Sequence, residues 1–504
     1  MGSKETYILA LDQGTTGTTI SVLNARAQMV AHVNNEFPQV YPKPGWVEHE
    51  PDAIWRSVIE GIAQALSKAR LDGHQIAAIG ITNQRETVVI WDKDSGTPVH
   101  NAIVWQCRRT TEFCTRLKKQ RAAASIQKKT GLIIDPYFSA SKMRWLLDHV
   151  KGARAQARRG QLRAGTIDTF LLWRLTGGQV HKTDVSNASR TQLMNIQKGN
   201  WDPDLLRLFA IPDSLLPEIL PSNETFGFTR GVPGLPDGIP IAGMAGDQQS
   251  ALFGQACFGV GASKCTFGTG SFMLMNTGPK MVLSRSGLLT TIAWRLKGEK
   301  KPTYALEGGA FICGAAVQWL RDQMKFVSSS SEIESLASSV PSSEGVYLVP
   351  AFVGLGAPYW DPDARAAIVG MTRGTGRAHL ARATLEAMAL QNADILRAME
   401  KDLGRKMGAL RVDGGAVNNG LLMQMQADVL GTPVQRPKQT ESTVLGAAFL
   451  AGLGVGYWSD LNDLKKVWSL DHEFRPTLSA AGRKHKLGEW HKAVERVLTQ
   501  KGPR

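Results

Sequence analysis

YILALDQGTTGTTISVLN, residues 7–24, runs through four apolar residues, Ile8-Leu9-Ala10-Leu11, and meets an aspartate. It then crosses a turn of glycines and threonines and resumes as Ile20-Ser21-Val22-Leu23. Two short apolar runs separated by Gly and small polar residues predict the paired strands of a hairpin. Gly14 and Gly17 are free to take positive φ, so a tight turn is expected between them. A lone carboxylate at the end of a buried strand is costly unless something satisfies it, and Asp12 stands there. The expected turn exposes backbone N–H groups and the hydroxyls of Thr15, Thr16, Thr18 and Thr19. Donors beside one acidic residue suit a phosphate chain accompanied by a divalent cation. On this segment alone, an ordinary hairpin with a polar tip explains the residues more simply.

The rest of the chain strengthens the phosphate reading. GASKCTFGTGSFMLMNTG, residues 261–278, again places Gly and Thr between two strand-like runs, now in the second half. Two hairpins of the same chemistry, one per half, suggest duplicated domains facing a shared cleft. A ligand with several phosphates could be gripped from both sides there, with closure excluding water. Coincidence is the alternative, since Gly-Thr turns are common. A third glycine-rich element, VDGGAVNNG at 412–420, follows a strand and precedes the helical pattern LLMQMQADVL. Such a turn lets backbone approach a phosphate or a flat ring closely. Short apolar runs (QIAAIGITNQ, ETVVIWD, IPIAGMAGD, GVYLVPAF, ALRVDGG) alternate with helical patterns such as 379–400, where Leu385, Met388, Ile395, Leu396 and Met399 recur at helical spacing. Strands interspersed with helices predict an α/β protein.

Composition narrows the class. With 504 residues, 43% hydrophobic and 20% charged, the chain reads as an ordinary globular protein of several domains. No window has the apolar length of a membrane span, and MGSKETY lacks a signal-peptide core. Cys107, Cys114, Cys257, Cys265 and Cys313 have no zinc-site spacing and read as reduced, mostly buried thiols of a cytoplasmic protein. The net charge of +15 is concentrated in clusters such as KGARAQARRGQLR and KKQRAAASIQKK. Neither interleaves aromatic residues or carries a nucleic-acid motif, so both read as solvated helix faces, and no nucleic-acid partner is expected.

Acceptor chemistry gathers in two segments. In GITNQRETVVIWDKDSGTPVHNAIVWQCRR, residues 80–109, Arg85 and Glu86 stand just before a strand. Paired donors and acceptors can hold vicinal hydroxyls, although an adjacent Arg-Glu is more often a surface ion pair. Trp105 ends another strand. Tyr137 and Phe138 precede the helix SASKMRWLLDHV, which Ser139 or Ser141 should cap. These aromatics could cover the carbon side of a small polyol, or simply be core. In PIAGMAGDQQSALFG, Asp247 follows an apolar strand and opens a helix whose N-terminus favours its charge. An alcohol attacking phosphorus needs an acceptor for its proton, and an ionised aspartate can be one. A helix cap is the competing reading.

Taken in order, ALDQGTTGTT, GITNQRET, AIVWQCRR, IDPYFS, VSNASRT, AGDQQSALFGQ, FGTGSFMLMNTGP, GLGAPYWDPDARA and LRVDGGAVNN resemble the FGGY carbohydrate kinases, within the actin-like ATPase superfamily. The match runs from Tyr7 to Trp458. The resemblance implies two duplicated ribonuclease H-like (actin-like ATPase) domains with an interdomain cleft. Residues 1–255 would carry the glycerol site and the first phosphate hairpin; residues 256–504 would carry the adenosine site and the second hairpin. It implies ATP-dependent phosphorylation of glycerol to sn-glycerol 3-phosphate, with ATP and Mg²⁺ in the cleft, and a homodimer or homotetramer. Carried over by position, Arg85, Glu86, Tyr137, Asp247 and Gln248 would bond the glycerol hydroxyls, with Trp105 and Phe272 over its carbons. Asp247 would be the general base, and Asp12 and Asp247 would face the metal. Thr15, Thr16, Gly17 and Thr269 would lie along the phosphates, and Gly314, Gln318, Gly415 and Asn419 would border the adenosine. One departure stands out: where the family reads DQGTTSSR, with an arginine on nucleotide phosphate, this chain has Gly17 and Thr19. That leaves two further readings open, another FGGY polyol or ketose kinase, and a weakly active or inactive kinase-fold binding protein.

Overall fold

The structure is a computed structural model and describes residues 5–499. The first sheet is built from β1 (Tyr7–Gln13), β2 (Gly17–Leu23), β3 (Met29–Glu36), β4 (Ile76–Asn83), β5 (Gly227–Phe228) and β6 (Pro240–Gly246), with α1 (Pro51–Ala69) after β3 and α2 (Asp247–Gly254) after β6. Its strand order is β5-β6-β4-β1-β2-β3. The opening apolar run is continuous because β1 is buried on both faces. Leu9 and Leu11 point into a core with Ile54, Val58 and Ile62 of α1. Ile8 and Ala10 point into a second core with Ala447 and Leu450, from the far end of the chain.

The second sheet comprises β7 (Ser263–Phe267), β8 (Ser271–Gly278), β9 (Leu289–Trp294), β10 (Thr303–Ala310), β11 (Leu410–Asp413), β12 (Val434–Pro437) and β13 (Leu470–Phe474). Between its strands in the chain run α3 (Gly314–Asp322), α4 (Arg377–Leu403), α5 (Gly420–Leu430) and α6 (Ser442–Gly454). Its order is β9-β10-β8-β7-β11-β12-β13. In both sheets the hairpin strands pair antiparallel, the first hairpin strand pairs parallel with the next strand, and an antiparallel edge strand closes that side. The sequence repeat is thus a repeat of topology, as the duplicated α/β reading expects.

Two helices lock the halves together. α6 lies across the first sheet, and α2 packs against α6. Glycine is needed here for space: a Cβ on Gly80 would sit 2.1 Å from the Ala447 carbonyl oxygen, and one on Gly446 would sit 1.8 Å from that of Ser250. A smaller sheet, made of Glu48–His49, Ala102–Ile103, Val88–Asp92 and Leu162–Thr166, forms a side lobe on the first half. No described helix is long and apolar enough to cross a membrane.

Three local expectations are corrected. Neither Gly14 nor Gly17 adopts positive φ; the turn closes through Gly14 N–H on the Gly17 carbonyl at 2.9 Å, and a Cβ on Gly17 would press on the Asn35 carbonyl at 3.0 Å. Small size is what the turn requires. Thr18 is buried, its hydroxyl 2.7 Å from that of Ser57, so it offers nothing to a ligand. The helix Ser139–His149 is capped by neither serine: Ser139 donates to the Glu86 carbonyl, and the Ser141 hydroxyl pairs with that of Thr110.

Candidate active site

The carboxyl ends of β1, β4 and β6 lie side by side, with Gln13 beside Asn83 and Asn83 beside Gly246. In open α/β sheets this edge is where ligands bind. From the end of β4 the chain turns through Gln84-Arg85-Glu86, and Glu86 is held at φ +62°, a strained conformation for a residue with a side chain. Arg85 is 3% exposed and Glu86 1%, which rules out the surface ion pair. They are not chiefly each other's partners: Arg85 Nε stands 4.0 Å from Glu86 but 3.1 Å from Asp247 Oδ1.

Arg85 is the hub. Its two terminal nitrogens donate to the two oxygens of Glu307, on β10 of the second half, at 2.6 and 2.9 Å. It also donates to Gln249 Oε1 at 3.1 Å and to the Tyr137 hydroxyl at 3.2 Å. Arg190 donates to Glu307 at 3.0 Å and to Glu86 at 2.6 Å. Burial works against the charge on Glu307, yet Arg190 and Arg85 outweigh it and hold its carboxyl below the ordinary value. For Glu86 burial wins over the same two guanidiniums and the carboxyl is pushed up. Gly246 must be glycine, since a Cβ there would lie 2.6 Å from Arg85 Cγ. That bare backbone lets the arginine stem pass and reach Asp247, the first residue of α2. Gly246 is the helix cap, so the side chain of Asp247, 29% exposed, is left facing the cleft.

An aromatic wall stands beside this network. The Trp105 ring lies 5.6 Å from Tyr137 and 6.3 Å from Phe272. Trp105 sits two residues past the short strand Ala102–Ile103, not at its end, and its indole N–H donates to Thr15 Oγ1 at 3.0 Å. Phe272 comes from β8, its ring lying over Gly309. Gln248 is reached from the second half by Lys264, whose ammonium donates to its Oε1 at 2.5 Å. Arg85, Glu86, Trp105, Tyr137, Asp247, Gln248 and Phe272 are therefore joined by a continuous run of contacts that crosses from one half to the other.

The two hairpins flank that wall. Thr15 is half-buried and Thr16 exposed at the first tip. At the second, the Thr269 carbonyl accepts from Cys313 N–H at 2.8 Å and Ala315 N–H at 3.1 Å, docking the start of α3 on the hairpin. Gly314 lies against the Gly268 carbonyl, and Gln318 is exposed one turn further along α3. Gly414, at φ +90°, lies against the Phe267 carbonyl and leaves Gly415 exposed at the same mouth. Asn419 caps α5, its Oδ1 accepting from Leu422 N–H at 2.8 Å.

Asp12 is paired across the hairpin with Thr19, whose hydroxyl accepts from Asn34 at 2.8 Å. Burial, then the neighbouring charges of Asp247 and Glu441, push the Asp12 carboxyl well above its ordinary value. Of these neighbours Asp247 is itself paired with Arg85 at 3.1 Å, while the Asp12 carboxyl has no ion pair among the described residues. Among the described residues, no group of three or more His, Cys, Asp or Glu converges tightly enough to hold a metal by side chains alone. The donor set fits a hard divalent ion completed by phosphate oxygens and water.

Sequence reasoning missed Glu307, Arg190, Gln249 and Lys264. The one signal for Glu307 and Lys264 was a lone charge inside an apolar or small-residue run, TYALEGGA and GASKCTFG; Gln249 is uncharged and carried none.

Comparison with known proteins places the chain in a family. Residues 7–254 match the N-terminal domain of the FGGY family of carbohydrate kinases, and residues 263–455 match its C-terminal domain. A glycerol kinase of Bdellovibrio bacteriovorus is 58% identical over 97% of this chain and 99% of its own. Glycerol kinase 2 of Thermotoga maritima is 54% identical over 98% of this chain and 99% of its own. Among solved structures, Plasmodium falciparum glycerol kinase with ADP superposes with a TM-score of 0.91 at 40% identity, covering 98% of this chain and 99% of that one.

Proposed function

This chain belongs to the FGGY family of carbohydrate kinases, and from that premise we propose that it transfers the γ-phosphoryl group of ATP to glycerol, giving sn-glycerol 3-phosphate and ADP. The observation that carries the reading is Asp247: a carboxylate at the cleft, with Arg85 Nε on one oxygen at 3.1 Å, beside the wall of Trp105, Tyr137 and Phe272. Three rings that close together suit a three-carbon polyol better than a pentulose.

In this reading the glycerol hydroxyls bond to Arg85, Glu86, Tyr137, Asp247 and Gln248, while Trp105 and Phe272 cover the carbons and displace water. One hydroxyl donates to the Asp247 carboxylate. As its oxygen bonds to the γ-phosphorus, its proton passes to Asp247 and the bond to the β-phosphate oxygen breaks, releasing ADP. Arg85 and the start of α2 hold Asp247 in place, so little reorganisation accompanies the step. The two Gly-Thr hairpins, through Thr15, Thr16, Gly17 and Thr269, lie along the phosphate chain from opposite halves. Gly314, Gln318, Gly415 and Asn419 border the adenosine. Asp12 and Asp247 would hold Mg²⁺ largely through water, and the ion would draw charge from the phosphate oxygens. Such chemistry belongs in the ATP-rich cytoplasm, and the five cysteines, all free and buried, suit a reducing compartment.

ADP release measured with glycerol, xylulose, ribulose and gluconate tests the substrate. Preference for any acceptor over glycerol overturns the reading. Asp247→Asn should lower kcat by about a thousandfold, the middle of the range for single general-base effects, while glycerol still binds. An active Asp247→Asn variant removes the base assignment.

A further inference from the structure

Lys264 is a fully buried ammonium from β7 of the second half that reaches the first half at Gln248. Its Nζ donates to Gln248 Oε1 at 2.5 Å and to Thr266 Oγ1 at 2.7 Å. A charged ammonium has three donors and no acceptor. A glutamine amide can face a ligand with either its oxygen or its nitrogen, and the bond to Lys264 removes that choice. The oxygen is consumed, and the NH₂ group of Gln248 remains, with no acceptor among the described residues.

The next residue carries the complementary constraint. Asp247 Oδ1 already accepts from the Gln248 backbone N–H at 2.7 Å and is ion-paired with Arg85 Nε at 3.1 Å, which leaves Oδ2 without a partner among the described residues. An alcohol hydroxyl in reach of both side chains must accept from Gln248 and donate to Asp247. That is the direction in which a base can take the proton. We infer that Lys264 is a positioning residue, which fixes the Gln248 amide as a hydrogen-bond donor toward the acceptor alcohol. Burial pulls the ammonium's pKa down, with Asp413 chief among the charges opposing that shift, so this cation is kept in a place where charge is costly. The inference rests on the proposed glycerol reaction and adds to it the source of the hydroxyl's orientation.

A double-mutant cycle tests it. Lys264→Met and Gln248→Ala should each raise the KM for glycerol about tenfold, the size of one good hydrogen bond, and leave the KM for ATP unchanged. The double variant should be no worse than Gln248→Ala alone. Effects that multiply, or a KM for ATP that rises in step, overturn the inference. Gln248→Glu gives a second route that keeps the buried lysine paired. Its carboxylate still accepts from Lys264 but turns an acceptor toward the alcohol, so the KM for glycerol should rise at least as far as in Gln248→Ala. An unchanged KM in Gln248→Glu also overturns it. If the unaltered protein leaves glycerol unphosphorylated, the functional reading falls and takes this inference with it. If glycerol is turned over while the effects multiply, only the inference falls.

Discussion

Replacing Glu307 by glutamine changes one oxygen to an amide nitrogen in a residue outside both hairpins and outside the motif that holds Asp247. The wild-type carboxylate receives three N–H bonds, at 2.6 and 2.9 Å from Arg85 and 3.0 Å from Arg190, and is 1% exposed. The amide keeps one acceptor oxygen and sets its NH₂ against a guanidinium that can only donate. One charge-assisted bond, about 1.5–3 kcal/mol, is lost at least. Removing one partner from a buried ion network costs about 3–5 kcal/mol in all. We therefore expect Glu307→Gln to lower the unfolding free energy by about 3 kcal/mol, measured by urea denaturation. Catalysis should suffer for a separate reason: Arg85 loses its two-pronged anchor and no longer holds its guanidinium beside Asp247. A hundredfold fall in kcat/KM for glycerol, about 2.7 kcal/mol of transition-state stabilisation, is the expected size. Coupled ADP release on the fully folded variant reads it. Glu307→Asp keeps the charge but withdraws it by one methylene, and should fall between the two. Normal kcat/KM with a stability change under about 0.5 kcal/mol, the scale of an ordinary surface substitution, would refute the network as the organiser of the site.

Two further outcomes are expected. Thr19→Arg places a cation on the strand position facing Asp12, so the KM for ATP should fall about tenfold or more, as one charge-assisted contact gives; unchanged ATP dependence means that position 19 does not meet phosphate. His49 is buried, with Nε2 on Gln39 Oε1 at 2.6 Å and Nδ1 beside the Gln84 amide at 3.2 Å, and burial pulls its pKa down to about 4. Between pH 6.5 and 4 the unfolded chain therefore binds a proton that the native state refuses, and stability drops by about 1.4 kcal/mol per pH unit as the medium is acidified. His181, also held near 4 by burial, adds a like amount. Urea midpoints at pH 7 and pH 4.5 should show His49→Gln losing less stability on acidification than the wild type, and equal losses would refute the assignment.

How far the sequence could be read depended on how local each signal was. The run Ile8–Leu11 announced a buried strand, and the two Gly-Thr hairpins announced a duplication, because both are patterns within a few residues. The φ of the first turn was not legible, since a glycine can be required by crowding as well as by φ, and Gly17 is crowded by Asn35 from β3. α6 was legible in principle: STVLGAAFLAGLG is apolar on every side, which marks a helix enclosed on every side. What it packs against was not, because β1 and β4 lie hundreds of residues earlier.

The charged half of the site was hidden for a deeper reason. Glu307 and Lys264 each look like a single misplaced charge within a strand, and only the other half of the chain makes them intelligible. Glu307 answers Arg85 and Arg190; Lys264 answers Gln248. All three contacts join the first half to the second, and each second-half charge is buried to within 1% exposure. Were the halves to part, two guanidiniums would lose their carboxylate and the Gln248 amide would be free to turn over. Two of the groups proposed to hold the alcohol, Arg85 and Gln248, thus owe part of their orientation to the second half. A half-chain carrying Arg85, Glu86 and Asp247 on its own sheet would have the residues of the acceptor site without the geometry.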